Sequence, residues 1–194
     1  PAGSTVIYSD AAAVPGLDAH PDWGQNPPVT YAEVTIASNK SLKYGFSAPA
    51  LYEGIDWSAN PQNVSTKGKL HIDFWSPDVT SVKVSIISAG KENPVTVPVT
   101  AGSWNAADID LASYTVPDKT AIIQIKLEPG TAGTLYVDNI YFWGTASAGG
   151  SNPSAEMGSA GPMTIPVATA SDAFGFILTG DAIFANDYIG PIDG

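Results

Sequence analysis

The sequence predicts an all-β protein, an antiparallel two-sheet jelly-roll sandwich with a C-terminal strand or hairpin extension. Three observations lead there. Apolar and polar residues alternate with a period of two along most of the chain, and no stretch shows the 3.6-residue period of an amphipathic helix. Gly, Pro, Asn and Asp punctuate the alternating runs at short intervals, as they do between strands joined by tight turns. With 194 residues, 44% of them hydrophobic and 14% charged, the chain is long and apolar enough to bury a substantial core.

The elements follow in order. Thr5–Tyr8 reads as an opening strand, then Glu33–Ala37 and Leu42–Phe46. Leu70–Trp75 sets Leu70, Ile72 and Phe74 on one face and His71, Asp73 and Trp75 on the other. Val82, Val84 and Ile86 alternate with Lys83, Ser85 and Ile87, and Val95–Val99 comes next. Ile123, Ile125 and Leu127 alternate with Ile122, Gln124 and Lys126 before Thr134–Phe142 closes the series. The core is expected from Leu70, Ile72, Phe74, Val82, Val84, Ile86, Ile123, Ile125 and Leu127. Turns are expected at Ser76-Pro77-Asp78, Ala89-Gly90, Ala101-Gly102 and Glu128-Pro129-Gly130.

Residues 1–144 form the predicted sandwich, and residues 145–162 are a Gly-, Ser- and Ala-rich linker. Residues 163–194 turn apolar again. Phe174-Gly175-Phe176-Ile177-Leu178 and Ala182-Ile183-Phe184 flank Thr179-Gly180-Asp181, a hairpin-like pattern. Some thirty residues hold too little apolar area for a core of their own, so this extension must pack on the sandwich, a neighbour or another module. Homo-assembly through Met163–Gly194 is one way to meet that need.

Charge narrows the partners. Eight lysines, no arginine and 19 acidic residues leave a net charge of −11. Such a surface repels phosphate backbones and anionic head groups, so nucleic acid and membranes are poor partners, and no run approaches the apolar length of a membrane span. Cysteine is absent, which removes disulfides and thiolate chemistry together. Richness in Ser, Thr, Gly and Pro with few charges points to an extracellular or cell-surface location.

No catalytic constellation is found. His20 and His71 have no zinc-protease or triad context, there is no nucleophile elbow, and no Gly-rich phosphate loop occurs. The chain reads as no enzyme. The five tryptophans are the informative residues, because an indole stacks on the C–H face of a sugar while polar neighbours take its hydroxyls. Trp23, in a Pro-rich loop beside Gln25, is either such a platform or a plug sealing one end of the sandwich. Trp57, in the loop-like stretch Glu53-Gly54-Ile55-Asp56, is open to the same two readings. Trp75 shares a strand face with His71 and Asp73, an aromatic, imidazole and acid strip suited to a binding surface. Trp104, ahead of Ile109 and Leu111, reads as a core anchor, and Trp143 as a packing residue at a strand end.

Five segments in this order carry a resemblance: Tyr8-Ser9-Asp10, Trp23-Gly24-Gln25, Leu70-His71-Ile72-Asp73-Phe74-Trp75, Trp104 with Asp108-Ile109-Asp110-Leu111, and Tyr136-Val137-Asp138-Asn139-Ile140-Tyr141-Phe142. Together, over about Thr5–Trp143, they resemble the jelly-roll carbohydrate-binding modules attached to bacterial laminarinases and related β-glycan hydrolases. The resemblance implies a non-catalytic module that binds β-glucan or a similar algal polysaccharide, with Trp23, Gln25, Trp57, His71, Asp73 and Trp75 as candidate ligand contacts. It also implies a structural calcium where the first and last strands meet, which here means Asp10 and Asp138. Two departures stand out: the chain has no arginine to clamp sugar hydroxyls, and Ala11-Ala12-Ala13 replaces an expected aromatic. They leave an alternative, a jelly-roll subunit of a surface fibre or adhesin assembled through its tail.

Overall fold

The computed structural model describes residues 2–36 and 38–146. Its strands are β1 (Thr5–Ser9), β2 (Ala12–Ala13), β3 (Thr30–Ile36), β4 (Asn39–Phe46), β5 (Glu53–Asp56), β6 (Lys69–Trp75), β7 (Ser81–Ser88), β8 (Lys91–Pro98), β9 (Trp104–Asp110), β10 (Gln124–Pro129) and β11 (Gly133–Trp143), with one 3₁₀ turn at Leu111–Ser113. Every strand pairing is antiparallel. The predicted all-β, two-sheet sandwich is what the chain forms.

The larger sheet is organised around β11. Strand β6 runs along one side of it, with β9 beyond. On its other side β4 pairs with Gly133–Val137 and β1 with Ile140–Phe142, so two strands share one long neighbour end to end. Strand β3 lies outside β4, and β2 outside β1. The second sheet runs β5-β10-β7-β8. Leu42, Leu70, Ile72, Phe74, Leu135 and Val137 of the first sheet face Ile55, Val82, Val84, Ile86, Ile125 and Leu127 of the second, all without exposed surface. Each such side chain contributes about 1.5–3 kcal/mol of apolar burial. At the β7–β8 hairpin Ala89 and Gly90 have φ of 44° and 75°, the paired left-handed geometry that matches a two-residue loop to the twist of its strands.

Two expectations about the core need correction. Ile123 is only half-buried, and Ile122 is the residue in the interior. Strand β10 begins at Gln124, and ahead of it Ile122 bridges Gln62, so the alternation does not extend back through this pair. The stretch around Glu53 is strand β5 rather than a loop, paired with β10 from Glu53↔Leu127 to Asp56↔Gln124.

The chain divides into two units, Pro1–Gly149 and Gly150–Gly194. Residues 147–194 lie outside the described residues, and with them most of the expected linker, the whole C-terminal extension and any assembly through Met163–Gly194. Ala37, the expected end of an early strand, does so too.

Candidate functional site

Strand β6 alternates cleanly. Leu70, Ile72 and Phe74 go inward, which forces Lys69, His71, Asp73 and Trp75 onto the outer face of the larger sheet. Cross-strand register then fixes their neighbours. Trp75 stands between Trp104 of β9 and Tyr136 of β11, and Lys43 of β4 flanks Tyr136. With Lys43 included, the row crosses four strands over about 14 Å, three interstrand spacings. Trp75 meets Tyr136 edge-on at 5.2 Å and 81°, and the Lys43 Nζ lies 5.6 Å from the Tyr136 ring. Trp104 is 46% exposed.

A second row lies four residues earlier on β6. Here His71 stands between Asp108 of β9 and Tyr141 of β11. Its ring stacks on Tyr141 at 4.5 Å and 15°. Its Nδ1 lies 2.7 Å from Asp108 Oδ1 and its Nε2 3.2 Å from Asp73 Oδ1. Trp143 Nε1 donates to the same Asp108 oxygen at 3.0 Å, and Asn139 Nδ2 donates to Asp73 Oδ2 at 2.8 Å. Between the two rows lie Ala106, a gap in the side-chain layer, and Asp73. A hollow of about 410 Å³ opens beside them, lined by Ser4, Val6, Ser9, His71, Asp73, Asn139 and Tyr141.

The second row exists because β11 is bulged. Asp138 pairs with Asp73 but Tyr141 pairs with His71, so one extra residue is accommodated at Asn139, whose φ is 48°. Asn is among the few non-glycine residues that take a left-handed conformation readily. The bulge resets the alternation: Tyr136 faces outward before it, and Tyr141 and Trp143 face outward after it.

Of the sequence-predicted contacts, His71, Asp73 and Trp75 are brought together on this face. Trp57 is not on it. Its indole is fully buried and donates through Nε1 to the Ile122 carbonyl at 2.9 Å, so no ligand can stack on it. Trp23 and Gln25 sit at the other sheet. The Trp23 ring packs over Gly54 of β5, where a Cβ would lie 2.4 Å from the ring, so only glycine admits it. Gln25 accepts from the Trp23 N–H at 3.0 Å and donates to Glu53 Oε1 at 3.2 Å. Burial raises the Glu53 carboxyl above the usual carboxylate range, although the Gly54 N–H and His20 oppose the shift. The loop reading as a packed plug is therefore the one realised for Trp23.

Trp104 and Trp143, read from sequence as core and packing residues, belong to the face, as do Tyr136 and Tyr141. For Trp104 the signal was available: counting back from the inward-facing Ile109 puts 107 and 105 inward and 108, 106 and 104 outward.

Asp10 and Asp138 both reach the start of β4. Asp10 Oδ1 accepts from the Lys40 N–H at 2.5 Å, Asp138 Oδ2 from Asn39 Nδ2 at 2.6 Å, and Asp138 Oδ1 from its neighbour Asn139 N–H at 2.7 Å. Asp138 is buried, and burial followed by the charges of Asp10 and Asp73 holds its carboxyl above the ordinary range despite those hydrogen bonds. Among the described residues no three His, Cys, Asp or Glu side chains cluster as a metal site. The donor chemistry suits a hard cation, but backbone and water oxygens must complete the six to eight ligands that calcium takes.

No protein-family model and no curated protein matches the chain. Solved structures do. A family 11 carbohydrate-binding module of the cellulosomal cellulase Lic26A-Cel5E of Clostridium thermocellum superposes with a TM-score of 0.56 at 17% identity, covering 76% of this chain and 98% of that one. A family 11 module from the same organism, in complex with a β-1,3-1,4-mixed-linked tetrasaccharide, gives 0.57 at 17% identity over 76% and 99%. A variant of a family 29 carbohydrate-binding module gives 0.53 at 15% identity over 75% and 94%. At these identities the likeness is one of architecture, and the chain has the β-sandwich fold of carbohydrate-binding modules of families 11 and 29.

Proposed function

We propose that the chain is a non-catalytic, extracellular polysaccharide-binding module whose ligand, a neutral β-glucan, lies on the outer face of the larger sheet. The observation that carries this reading is the pair of aromatic groups, the row Trp104-Trp75-Tyr136 and the pair His71-Tyr141 with Trp143 beside it, on either side of a strip floored by Ala106 and Asp73. Aromatic rings take the apolar faces of sugar rings, while Asp73, Asp108 and Asn139 offer acceptors and a donor to hydroxyls. Three carboxylates on the face (Asp73, Asp108 and Asp110) against Lys43 and Lys69 disfavour a uronic-acid chain. The fold neighbours support the reading, one solved with a mixed-linked tetrasaccharide and others with mannohexaose and cellulohexaose. In native affinity electrophoresis the full chain is expected to be retarded by mixed-linkage β-glucan or laminarin and not by alginate. Equal mobility in all gels sinks the proposal.

The same reading includes a structural calcium held by Asp10 and Asp138. A cation there would offset the charge that burial and the neighbouring carboxylates concentrate at Asp138. Because it binds only the folded state, excess chelator is expected to lower the melting temperature, and added calcium to restore it. An unchanged melting temperature removes calcium from the account.

A further inference from the structure

Strand β3 extends past the sandwich. Its residues are exposed or half-buried along their whole length. Tyr31 pairs with Tyr44 and Glu33 with Leu42, both core residues, so Tyr31 and Glu33 point to the inner side of the larger sheet, away from the outer face. Facing this inner side is the Leu17–His20 segment, which Asp18 ties to Asp56 through two backbone hydrogen bonds. Between them lies a pocket of about 440 Å³, within the roughly 300–1,000 Å³ of small-molecule sites.

Its lining is built for recognition. Tyr31, 37% exposed, stacks on His20 at 5.2 Å and 17°, forming a flat aromatic wall. Asp18 Oδ1 accepts the His20 N–H at 3.0 Å, and Glu33 Oε1 pairs with Lys40 at 3.1 Å. The second oxygen of each carboxylate has no partner among the described residues. The decisive group is Tyr8. It is 5% exposed, lines this pocket, and its hydroxyl is buried with no hydrogen-bond partner. A buried hydroxyl left unpaired is costly, and native structures almost always satisfy such groups.

We propose that this pocket is a second saccharide site, which takes one neutral sugar ring of a glycan chain. A pyranose supplies what the lining lacks: an apolar face for Tyr31, hydroxyl donors for Asp18 and Glu33, and a partner for the Tyr8 hydroxyl. Two carboxylates exclude uronates and phosphates. The site rests on the reading of the chain as a glycan binder but uses none of the residues of the outer face.

The test is an amide NMR titration of the full chain with a mixed-linkage β-glucan tetrasaccharide and with mannohexaose. With at least one of these, two groups of resonances should shift with separate dissociation constants, one around Trp75, Trp104 and Tyr141 and one around Tyr8, His20 and Tyr31. Tyr31→Ala should remove the second group alone, and Trp75→Ala the first alone. Tyr8→Phe, which keeps the ring and removes the unpaired hydroxyl, should weaken the second site about fivefold, the loss of one neutral hydrogen bond, without lowering the melting temperature. Shifts confined to the outer face with both sugars overturn the second site and leave the proposed function standing. Shifts in neither region overturn both.

Discussion

Trp75→Ala combined with Trp104→Ala is expected to abolish retention by β-glucan while the fold survives. The two indoles are cross-strand neighbours on the outer face, and neither belongs to the core. An aromatic platform contributes about 1 kcal/mol beyond the area it buries, and well-placed tryptophans at binding sites reach about 2 kcal/mol or more. Losing both therefore costs about 2–4 kcal/mol, a drop of roughly 30- to 1,000-fold in affinity. Trp104 is 46% exposed, so its single replacement should move the unfolding free energy by no more than about 0.5 kcal/mol. Trp23→Ala, on the other sheet, should leave retention unchanged. Calorimetry on the three variants separates the cases, and if Trp23→Ala weakens binding while the double variant does not, the ligand lies elsewhere.

Trp57→Ala is expected to produce the largest loss of stability of any tryptophan change. The side chain is the bulkiest among the fully buried residues, and truncating a core aromatic costs about 3–5 kcal/mol. The Ile122 carbonyl, which now accepts from the Trp57 indole, loses that donor as well. Set against a total stability of about 5–15 kcal/mol, this loss brings the domain close to unfolding at room temperature. Trp57→Phe, which keeps most of the packing and gives up the hydrogen bond, should cost less. Urea unfolding measures both, and a Trp57→Ala loss under about 1 kcal/mol contradicts the burial described here.

The strands that could be read from the chain are those whose two faces differ in chemistry. β6 shows strict alternation because one side meets the core and the other meets water or ligand. β5 was missed for a physical reason: Glu53 is buried against His20 and Gln25, and Gly54 has no side chain because Trp23 lies on it, so both positions carry residues unfavourable to strands. Within the site, His71, Asp73 and Trp75 were legible because they share β6. Tyr141 and Trp143 were not, because the alternation that would place them is broken at Asn139 by a bulge that no residue type announces. Trp57 and Trp23 misled for a common reason. Tryptophan supplies core mass and ligand platforms equally well, and only the neighbours in space, Ile122 for one and Gly54 for the other, tell them apart.

The bulge at Asn139 makes half of the outer face depend on a residue count rather than on residue identity. If the strand kept Asn139 but ran on without the bulge, strict alternation would carry Tyr141 and Trp143 toward the interior and Ile140 and Phe142 into water. Point substitutions along this strand can be absorbed one side chain at a time, and deletion of Asn139 only removes the bulge, whereas a further one-residue insertion after it exchanges the two faces of the last third at once. Among related sandwiches, loss of this row of rings would then arise as an insertion that no bulge absorbs, and chains with very similar composition could differ in whether they hold a ligand at all.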